Sequence, residues 1–339
     1  MGRMTVRAYA VERAGGPVQR LEYEPEPLGP LEVDIAVTHC GVCQTDIGMV
    51  DDVYGYSRFP VVAGHEAVGV VEAVGSAVDG ARLAVGRRVG IGAVAGACFA
   101  CEWCLSGRQY LCPHKDDTVL RGERGAFATR LRASDWRYVQ PLPEALASEH
   151  AAPLLCAGIT VFSAIARNGV RPTDRVAVVG VGGLGHLAIQ FLAKWGCHVT
   201  AISSTAAKAD DTRRFGAHEF IVAEEGLQRA AGSFDFILST VSADLPWDAY
   251  LAALRPQGTL CVVGVPHGAF SVQPLSLLLG EKRLVGGVVG SPMENRQMLD
   301  FAARHGIRPA VETFPVARVD EALDHVRHGR ARYRAVLEF

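Results

Sequence analysis

Four cysteines crowd into one short stretch of the chain, CFACEWCLSGRQYLC. Cys98, Cys101, Cys104 and Cys112 are separated by two, two and seven residues. Short loops let four thiolates converge on one tetrahedral zinc ion at about 2.3 Å. A full disulfide framework is disfavoured because the chain has nine cysteines, an odd number. The spacing therefore predicts a structural zinc site closed by four protein ligands, with a redox or incidental cysteine cluster as the alternative.

A second set of metal-binding residue types is spread over the first half of the chain. Cys43, His65 and Cys156 stand in HCGVCQTDIG, GHEAVG and PLLCAG. Two thiolates and one imidazole leave a fourth coordination position open for water or substrate, which is the pattern of a catalytic zinc. Taken singly, Cys156 could be a small buried hydrophobic residue and His65 a structural histidine. The prediction of a second zinc site rests on finding the three together.

The glycine-rich stretch GVGGLG follows the pattern G-x-G-x-x-G. It comes directly after the apolar run RVAVVG (175–180) and opens the helical pattern LGHLAIQFLAKWG (184–196). In that context the motif predicts a dinucleotide site rather than a merely glycine-rich turn, with the pyrophosphate at the helix N-terminus. The predicted cofactor-binding residues of the loop are Gly180, Gly182, Gly183, Leu184 and Gly185.

The residues after the next strand bear on which dinucleotide binds. An NAD site usually carries Asp or Glu about 20 residues after the loop, but Ser203 stands there in this chain. Ser203, Ser204 and Thr205 could donate hydrogen bonds to a 2′-phosphate, and Lys208 could pair with its charge. Helix capping by Ser204 or Thr205 is the alternative, and a cap can still bind phosphate. The pattern predicts NADPH over NADH.

Length and patterning predict two domains of different class. The chain has 339 residues, whereas a single core rarely grows past about 250–300. Residues 1–150 carry short Val/Ile runs broken by Gly and Pro, which indicates a β-rich fold. Residues 175–290 alternate strands with helices, which predicts a parallel sheet built from right-handed crossovers. The tail predicts two helices and a closing strand.

Composition argues against several classes of partner. The net charge is −2, with Lys and Arg scattered, so nucleic acid and anionic membrane are not expected as partners. The start, MGRMTVRAYAVERAGG, has no apolar run typical of a secretory signal. The sequence has no window of 18 unbroken apolar residues, so no transmembrane helix is predicted. We expect a soluble, cytoplasmic protein whose cysteines are free, metal-bound or catalytic.

These motifs together resemble the zinc-containing medium-chain alcohol dehydrogenases, and within that superfamily the cinnamyl alcohol dehydrogenase-like group. The resemblance covers almost the whole chain. Its marks are GVCQTD, GHEAVGVVEAVG, the four-cysteine lobe, PLLCAGITVFSA, GVGGLGHLAIQFLAKWG and the ending GRARYRAVLEF. It implies an α/β protein with a GroES-like β-barrel catalytic domain (1–155 and 294–339, zinc lobe 98–112) and an inserted Rossmann NADP(H)-binding domain (156–293) with a doubly wound parallel sheet. It also implies a homodimer.

The resemblance also implies roles for individual residues. Cys43, His65 and Cys156 match the ligands of the catalytic zinc, and Glu66 matches a residue that can approach or ligate the metal. Asp46 matches a carboxylate that orients the zinc-bound histidine.

The remaining implied residues concern proton transfer and the cofactor. Thr45 matches the hydroxyl that hydrogen-bonds the reacting alcohol and passes its proton onward. The implied cofactor contacts are Thr160, Gly290, Ser291 and Arg334.

The implied activity is hydride transfer between NADP(H) and an aldehyde or primary alcohol, aryl, allylic or aliphatic, with two zinc ions per chain. Zinc would act as a Lewis acid on the substrate oxygen. One alternative is a biosynthetic reductase of a C=C or C=N bond on the same scaffold. Another is a non-enzymatic, zinc-stabilised NADPH-binding protein.

The sequence departs from the family pattern beside Thr45. Many members have histidine at position 48 as the outer end of a proton relay, and frequently histidine at position 44; here they are Gly48 and Gln44. Either the relay drains to water through the space that Gly48 opens, or proton delivery has changed together with the substrate.

Overall fold

The computed structural model describes residues 5–119 and 124–339. Its β-strands, numbered in chain order, are β1 (Val6–Val11), β2 (Val18–Tyr23), β3 (Val33–Val42), β4 (Val61–Val62), β5 (Ala67–Val74), β6 (Arg88–Ile91), β7 (Val94–Gly96), β8 (Asp116–Asp117), β9 (Arg130–Ala133), β10 (Gln140–Pro141), β11 (Arg175–Val179), β12 (His198–Ser203), β13 (Glu219–Val222), β14 (Phe234–Ser239), β15 (Leu254–Val262), β16 (Arg283–Gly286), β17 (Val311–Pro315) and β18 (Arg334–Glu338).

The α-helices are numbered in the same way: α1 (Gln44–Val50), α2 (Glu102–Leu105), α3 (Ser148–Pro153), α4 (Ile159–Arg167), α5 (Gly185–Trp195), α6 (Ala209–Phe215), α7 (Ala223–Gly226), α8 (Trp247–Ala253), α9 (Pro274–Leu278), α10 (Pro292–His305) and α11 (Val319–Arg327). A π-helical turn, Leu154–Gly158, connects α3 to α4.

The chain divides into two compact units. The first unit comprises residues 1–156, 290–303 and 308–339, and the second unit comprises residues 157–289 and 304–307. Each has its own apolar core, as expected for a chain of this length.

The first unit is built mainly from antiparallel strands. Its larger sheet has the order β10-β6-β5-β3-β18-β17, with β9 also paired to β3, and a smaller sheet has the order β2-β1-β4. The long strand β3 pairs antiparallel with both β5 and β18, so residues near the C-terminus complete the sheet formed by the first part of the chain. Its core includes the fully buried Ile35, Ile91 and Phe127. The predicted β-rich character of this region is confirmed.

The second unit contains a six-stranded parallel sheet in the order β13-β12-β11-β14-β15-β16. Numbered from its first strand, this is the order 3-2-1-4-5-6 of a doubly wound dinucleotide-binding sheet. The central strand β11 is buried at Val176–Val179, as is usual where helices cover both faces of a parallel sheet. The prediction of a Rossmann sheet is confirmed.

The helix after the glycine-rich loop ends where the sequence indicates. α5 stops at Trp195, and Gly196 follows with φ of 104°, a left-handed conformation that glycine adopts without steric cost. Its apolar face buries Leu187, Ile189 and Phe191.

One helical segment, Ser148–Arg167, is long and apolar enough to cross a membrane by length and composition. However, 83% of its most apolar window is buried inside the fold, as in the core helix of a folded protein.

Candidate zinc and cofactor sites

The two cysteines and the histidine that distant motifs predict as zinc ligands come together in the first unit. Cys43 is the N-cap of α1, His65 and Glu66 immediately precede β5, and Cys156 lies in the π-helical turn. The four residues are buried, and one donor atom of each lies within 4.8 Å of the others. We call this set the buried donor cluster.

The spacing within the buried donor cluster fits a tetrahedral zinc ion. The sulfurs of Cys43 and Cys156 are 4.0 Å apart, and His65 Nε2 lies 3.2 Å from the sulfur of Cys156. Two sulfurs bound at about 2.3 Å in a tetrahedron would be about 3.8 Å apart. Two thiols and an imidazole are also the donor types that zinc prefers, so the residues suit that ion.

Asp46 fixes the orientation of the histidine. Its Oδ1 accepts a hydrogen bond from His65 Nδ1 at 2.8 Å and from the Gly64 backbone N–H at 2.8 Å. Its Oδ2 accepts from the Cys43 backbone N–H at 2.9 Å. The side chain is fully buried, so these bonds hold it firmly. With Nδ1 engaged by the carboxylate, Nε2 is the nitrogen aimed at the thiols, which is how a metal-bound histidine is usually held.

The electrostatics of the metal-free cluster favour a thiolate at Cys43 and a charged imidazole at His65. The pKa of Cys43 is well below its usual value, mainly because Cys156 hydrogen-bonds to it, with further contributions from His65 and Arg334. Burial lowers the pKa of His65, but Asp46 and Cys43 together raise it well above its usual value. A metal cation would replace the proton of the histidine as the partner of the thiolate.

Glu66 is the fourth member of the cluster, and its carboxylate is paired with Arg334. The two side chains form a buried ion pair, with Glu66 fully buried and Arg334 only 4% exposed. Burial raises the pKa of Glu66 to about 7, although Arg334 opposes that rise. Within the part of the chain that the structure describes, Glu66 Oε2 has no hydrogen-bond partner. The carboxylate is therefore paired through one oxygen, and the other is free to accept a further partner.

The four clustered cysteines form a second donor set, also in the first unit. The sulfurs of Cys98, Cys101, Cys104 and Cys112 lie within 4.8 Å of one another. The sulfur of Cys98 is 3.9 Å from that of Cys104 and 3.5 Å from that of Cys112. The backbone amides of Ala100 and Cys101 lower the pKa of Cys98 to about 6. None of the four forms a disulfide in this structure, and four converging thiols suit a zinc ion.

The glycine-rich loop of the second unit has the geometry that its motif predicts. Gly180 has φ of 88° and makes the tight turn between β11 and α5. A Cβ added at Gly185 would lie 1.8 Å from the carbonyl oxygen of Gly180, so this position requires glycine. A Cβ added at Gly182 would meet no protein atom within 4 Å, which leaves open space above the backbone there. Gly183 and Leu184 complete the turn.

The residues predicted to select the cofactor lie after β12. Ser203 is its last residue, and Thr205 occupies the N-cap of the 3₁₀ turn Ala206–Lys208 without a side-chain capping bond. The alternative of side-chain capping is therefore not observed at Thr205. The Lys208 ammonium donates a hydrogen bond to the Val181 carbonyl oxygen at 2.7 Å. This contact brings its charge to the glycine-rich loop.

The other predicted cofactor contacts have structural partners of their own. Thr160 is buried in α4, where its carbonyl oxygen accepts from Ser163 Oγ at 3.2 Å. Ser291, after Gly290, exchanges hydrogen bonds with Glu294 and so caps α10: its N–H donates to Glu294 Oε2 at 2.8 Å. Arg334 is paired with Glu66, a contact that the sequence did not indicate. Contacts of these residues with a cofactor stay predictions.

Beside Thr45 the structure corrects one expectation. The space expected to open at Gly48 is filled by Tyr54, because a Cβ built on Gly48 would lie 2.4 Å from Cε2 of that ring. Thr45 itself is half-buried, with its hydroxyl oxygen 3.9 Å from the sulfur of Cys43. Glycine at position 48 thus accommodates an aromatic ring rather than water.

Comparison with known proteins places these sites in a family. Residues 29–144 match the alcohol dehydrogenase GroES-like domain, and residues 183–304 match the zinc-binding dehydrogenase family. The chain is 43% identical to aldehyde reductase AdhA of Synechocystis sp. over 98% of both chains. Its structure is similar to cinnamyl alcohol dehydrogenase SbCAD4 of Sorghum bicolor (TM-score 0.94, 35% identity, 99% and 98% of the two chains covered).

It is also similar to a cinnamyl alcohol dehydrogenase (CAD) from Helicobacter pylori solved with NADP(H) (TM-score 0.90, 26% identity, 99% of both chains covered). The match to the GroES-like family confirms the predicted nature of the first unit. The chain is therefore an oxidoreductase of the zinc-containing medium-chain alcohol dehydrogenase superfamily and belongs with its cinnamyl alcohol dehydrogenase-like members.

Proposed function

We propose that this protein is an NADP(H)-dependent aldehyde reductase that interconverts aldehydes and primary alcohols at a catalytic zinc. The observation that carries the proposal is the buried donor cluster. Cys43, His65 and Cys156 offer three ligands, while the Glu66 carboxylate beside them is held in an ion pair with Arg334. Three protein ligands leave one position for the oxygen of a substrate.

Each residue around the cluster has a definite task in such a reaction. Zinc would polarise the carbonyl oxygen and the nicotinamide would supply the hydride. Asp46 keeps His65 in the tautomer that presents Nε2 to the metal. The Thr45 hydroxyl would give its proton to the substrate oxygen as the hydride reduces the carbonyl carbon, and would regain one from the surroundings. The products are one alcohol and one oxidised cofactor per aldehyde.

The preference for NADPH rests on the residues after β12. Ser203 stands where an NAD site usually has a carboxylate, so nothing at that position would repel a 2′-phosphate. Lys208 donates a hydrogen bond to the Val181 carbonyl oxygen in the glycine-rich loop, which supports a role for its ammonium in pairing with the 2′-phosphate. The Helicobacter pylori relative was solved with NADP(H), in agreement with this choice.

The test is to incubate the purified protein with cinnamaldehyde and either NADPH or NADH, and to identify the product. We expect cinnamyl alcohol, a clear preference for NADPH, and two zinc ions per chain by elemental analysis. Saturated aldehyde would instead favour reduction of a C=C bond, and turnover of imines alone would favour reduction of a C=N bond. One zinc per chain and no turnover of any substrate would favour a non-enzymatic binding protein.

A matched pair of variants separates the metal site from general damage to a buried cysteine. Cys156→Ser should lose one zinc per chain and nearly all turnover. Cys197→Ser should keep both, because Cys197 is buried outside the two clusters and its thiol bonds to the Arg171 carbonyl oxygen, a partner that a serine hydroxyl can also reach. A cytoplasmic location, inferred from composition, and a homodimer, implied by the family resemblance, complete the proposal.

A further inference from the structure

Two side chains hold carbonyl oxygens of the glycine-rich loop in the second unit. Thr240, the residue after β14, shares its hydroxyl hydrogen between the carbonyl oxygens of Val179 and Gly180, at 3.0 and 3.1 Å from Oγ1. His186, the second residue of α5, contacts the carbonyl oxygen of Gly182 through Nδ1 at 2.9 Å. Since a carbonyl oxygen can only accept, Nδ1 carries the proton and donates. Three peptide groups of the loop are thus bonded to side chains from two different elements.

Both side chains are themselves firmly placed. The Thr240 N–H donates to the Val179 carbonyl oxygen at 3.0 Å, and the His186 N–H donates to the Gly182 carbonyl oxygen at 3.1 Å. Each of these two carbonyls therefore receives a backbone bond and a side-chain bond from the same residue. The His186 side chain is fully buried, and its ring packs edge-on against Phe215 of α6 with centroids 5.4 Å apart. The loop is held by rigid neighbours.

The N–H groups of the loop, in contrast, are unpaired. In a trans peptide the N–H points away from the carbonyl oxygen of the same group, so a held carbonyl also fixes the direction of the next N–H. Among the residues that the structure describes, the N–H groups of Val181, Gly182 and Gly183 donate no hydrogen bond. Such N–H groups beside open space at Gly182 suit a phosphate oxygen, so the loop fits the pyrophosphate of a dinucleotide.

Resting on the proposed NADP(H) dependence, we propose that His186 and Thr240 are positioning residues that set the affinity of the loop for the pyrophosphate. Neither side chain has to touch the cofactor, because each acts through a carbonyl oxygen that it holds. Held carbonyls keep their negative ends away from the phosphates and keep the N–H groups in one direction. A loop that is ordered before binding loses less conformational freedom when the cofactor arrives, which increases affinity.

This role differs from that of Lys208. Its ammonium donates to the Val181 carbonyl oxygen from the end of a long, flexible side chain, so it holds that peptide group less firmly. The ammonium has three N–H donors, and the other two stay available for the 2′-phosphate. NADPH and NADH share the pyrophosphate, so a loosened loop should weaken both equally. Adenosine 2′-monophosphate (2′-AMP) has no pyrophosphate and reports on the 2′-phosphate site alone.

The experiment measures the dissociation constants of NADPH, NADH and 2′-AMP for the full zinc-loaded chain by isothermal titration calorimetry. Thr240→Val keeps the shape of the side chain without its hydroxyl, and Thr240→Ser keeps the hydroxyl. For Thr240→Val we expect Kd to rise about fivefold for both dinucleotides, the effect of one ordinary hydrogen bond. Its Kd for 2′-AMP should be the same as that of the wild type. Thr240→Ser should stay within about twofold of the wild type for all three ligands.

A second pair tests His186 in the same way. Leucine in His186→Leu fills the buried space without a donor, whereas the amide nitrogen of asparagine in His186→Asn stands as many bonds from Cα as Nδ1 does. His186→Leu should weaken both dinucleotides about fivefold, and His186→Asn should stay within about twofold of the wild type.

The matched control is Thr212→Val. The Thr212 side chain is fully buried in the same unit, and its hydroxyl donates to the Ala209 carbonyl oxygen at 2.7 Å within α6. This variant loses the same kind of bond as Thr240→Val but no contact with the loop. It should therefore keep all three dissociation constants.

The outcomes separate the positioning role from the proposed function. If the wild type binds both dinucleotides and Thr240→Val and His186→Leu bind them as tightly, the positioning role is wrong and the proposed function stands. An equal loss of 2′-AMP affinity would also overturn it, because that indicates general damage to the second unit. Failure of both Thr240→Ser and His186→Asn to restore affinity would do the same. If the wild type binds neither dinucleotide, the proposed NADP(H) dependence fails and the positioning role with it.

Discussion

Gly41 determines how closely the Glu66 carboxylate can lie against β3. A Cβ at this position would be 1.9 Å from Glu66 Oε2 and 3.1 Å from Glu66 Cβ, and both residues are buried. Gly41→Ala must therefore push Glu66 away from its place beside Arg334. We expect the free energy of unfolding to fall by about 1–3 kcal/mol, the usual range for overpacking a core. Urea denaturation measures this free energy in the wild type and the variant.

The matched control is Gly80→Ala, since an added Cβ there meets no heavy atom within 4 Å. Its free energy of unfolding should stay within about 0.5 kcal/mol of the wild type. Equal stability of the two alanine variants would mean that Glu66 moves at no cost, and the tight Gly41–Glu66–Arg334 packing would then have no energetic role.

Lys208 offers a direct test of cofactor selection by one charge. A charge-assisted hydrogen bond contributes about 1.5–3 kcal/mol, so Lys208→Ala should weaken NADPH binding about 10- to 150-fold. NADH lacks the 2′-phosphate, so the affinity of Lys208→Ala for NADH should be almost the same as that of the wild type. Fluorescence titration of both cofactors measures the two constants, with Lys194→Ala as the control because Lys194 is exposed on α5. An equal loss for both cofactors would place Lys208 away from the 2′-phosphate.

At the residue scale, the sequence predicted the members of the site better than their partners. Cys43, His65 and Cys156 could be named because metal chemistry restricts ligand types and leaves recognisable spacing. The pairing of Glu66 with Arg334 could not be predicted, since 268 positions separate them and the pairing of β3 with β18 that joins the early and late parts of the chain is not visible in the sequence. The contact between Gly48 and Tyr54 could not be predicted for a related reason: Gly48 looks like empty space in the sequence until the structure shows the Tyr54 ring beside it.

At the scale of elements, prediction succeeded where a pattern is local. The helical pattern LGHLAIQFLAKWG became α5, which ends before Gly196 because that glycine adopts a left-handed conformation. The start of β15 could not be predicted in this way, since the strand begins at Leu254, before the apolar run that starts at Thr259. Its early residues Arg255, Pro256 and Gln257 are exposed, so hydrophobic patterning carries no signal there.

The π-helical turn that carries Cys156 was also not predicted. It directly follows Pro153, which lies within α3, and its neighbours Leu155 and Ala157 are fully buried. An apolar run of this kind looks like an ordinary buried helix in the sequence. The extra residue of a π turn is set by packing and by the functional side chain it presents, as is often found at active sites.

Two glycines of the β11–α5 turn should respond differently to the same added methyl group. Gly185→Ala collides with the Gly180 carbonyl and should lower the free energy of unfolding by about 1–3 kcal/mol. Gly182→Ala meets open space, so its stability should be unchanged, but its NADPH affinity should fall at least tenfold because the pyrophosphate must approach that backbone. Thermal denaturation and cofactor titration give the two quantities. Unchanged affinity in Gly182→Ala would mean that the cofactor does not use this turn.

At the scale of the whole molecule, the chemistry is divided between the two units. Both donor sets for zinc lie in the first unit, while the glycine-rich loop and the residues after β12 lie in the second. Metal binding contributes directly to the stability of the structure that holds the ligands, and a ligand stabilises only what it binds. Zinc and the dinucleotide should therefore stabilise different parts of the same chain.

Hydrogen–deuterium exchange with and without each cofactor tests this division. Removing zinc with a chelator should increase exchange in α1, in the π-helical turn and in residues 98–112, because these segments carry the metal-binding residues. The strands β11, β12 and β14 should stay protected, since their buried parallel pairing involves no metal ligand. NADPH should instead slow exchange at residues 180–186 and 203–208. If chelation exposed the parallel sheet as strongly as the first unit, the two units would unfold as one, and zinc would stabilise the entire chain.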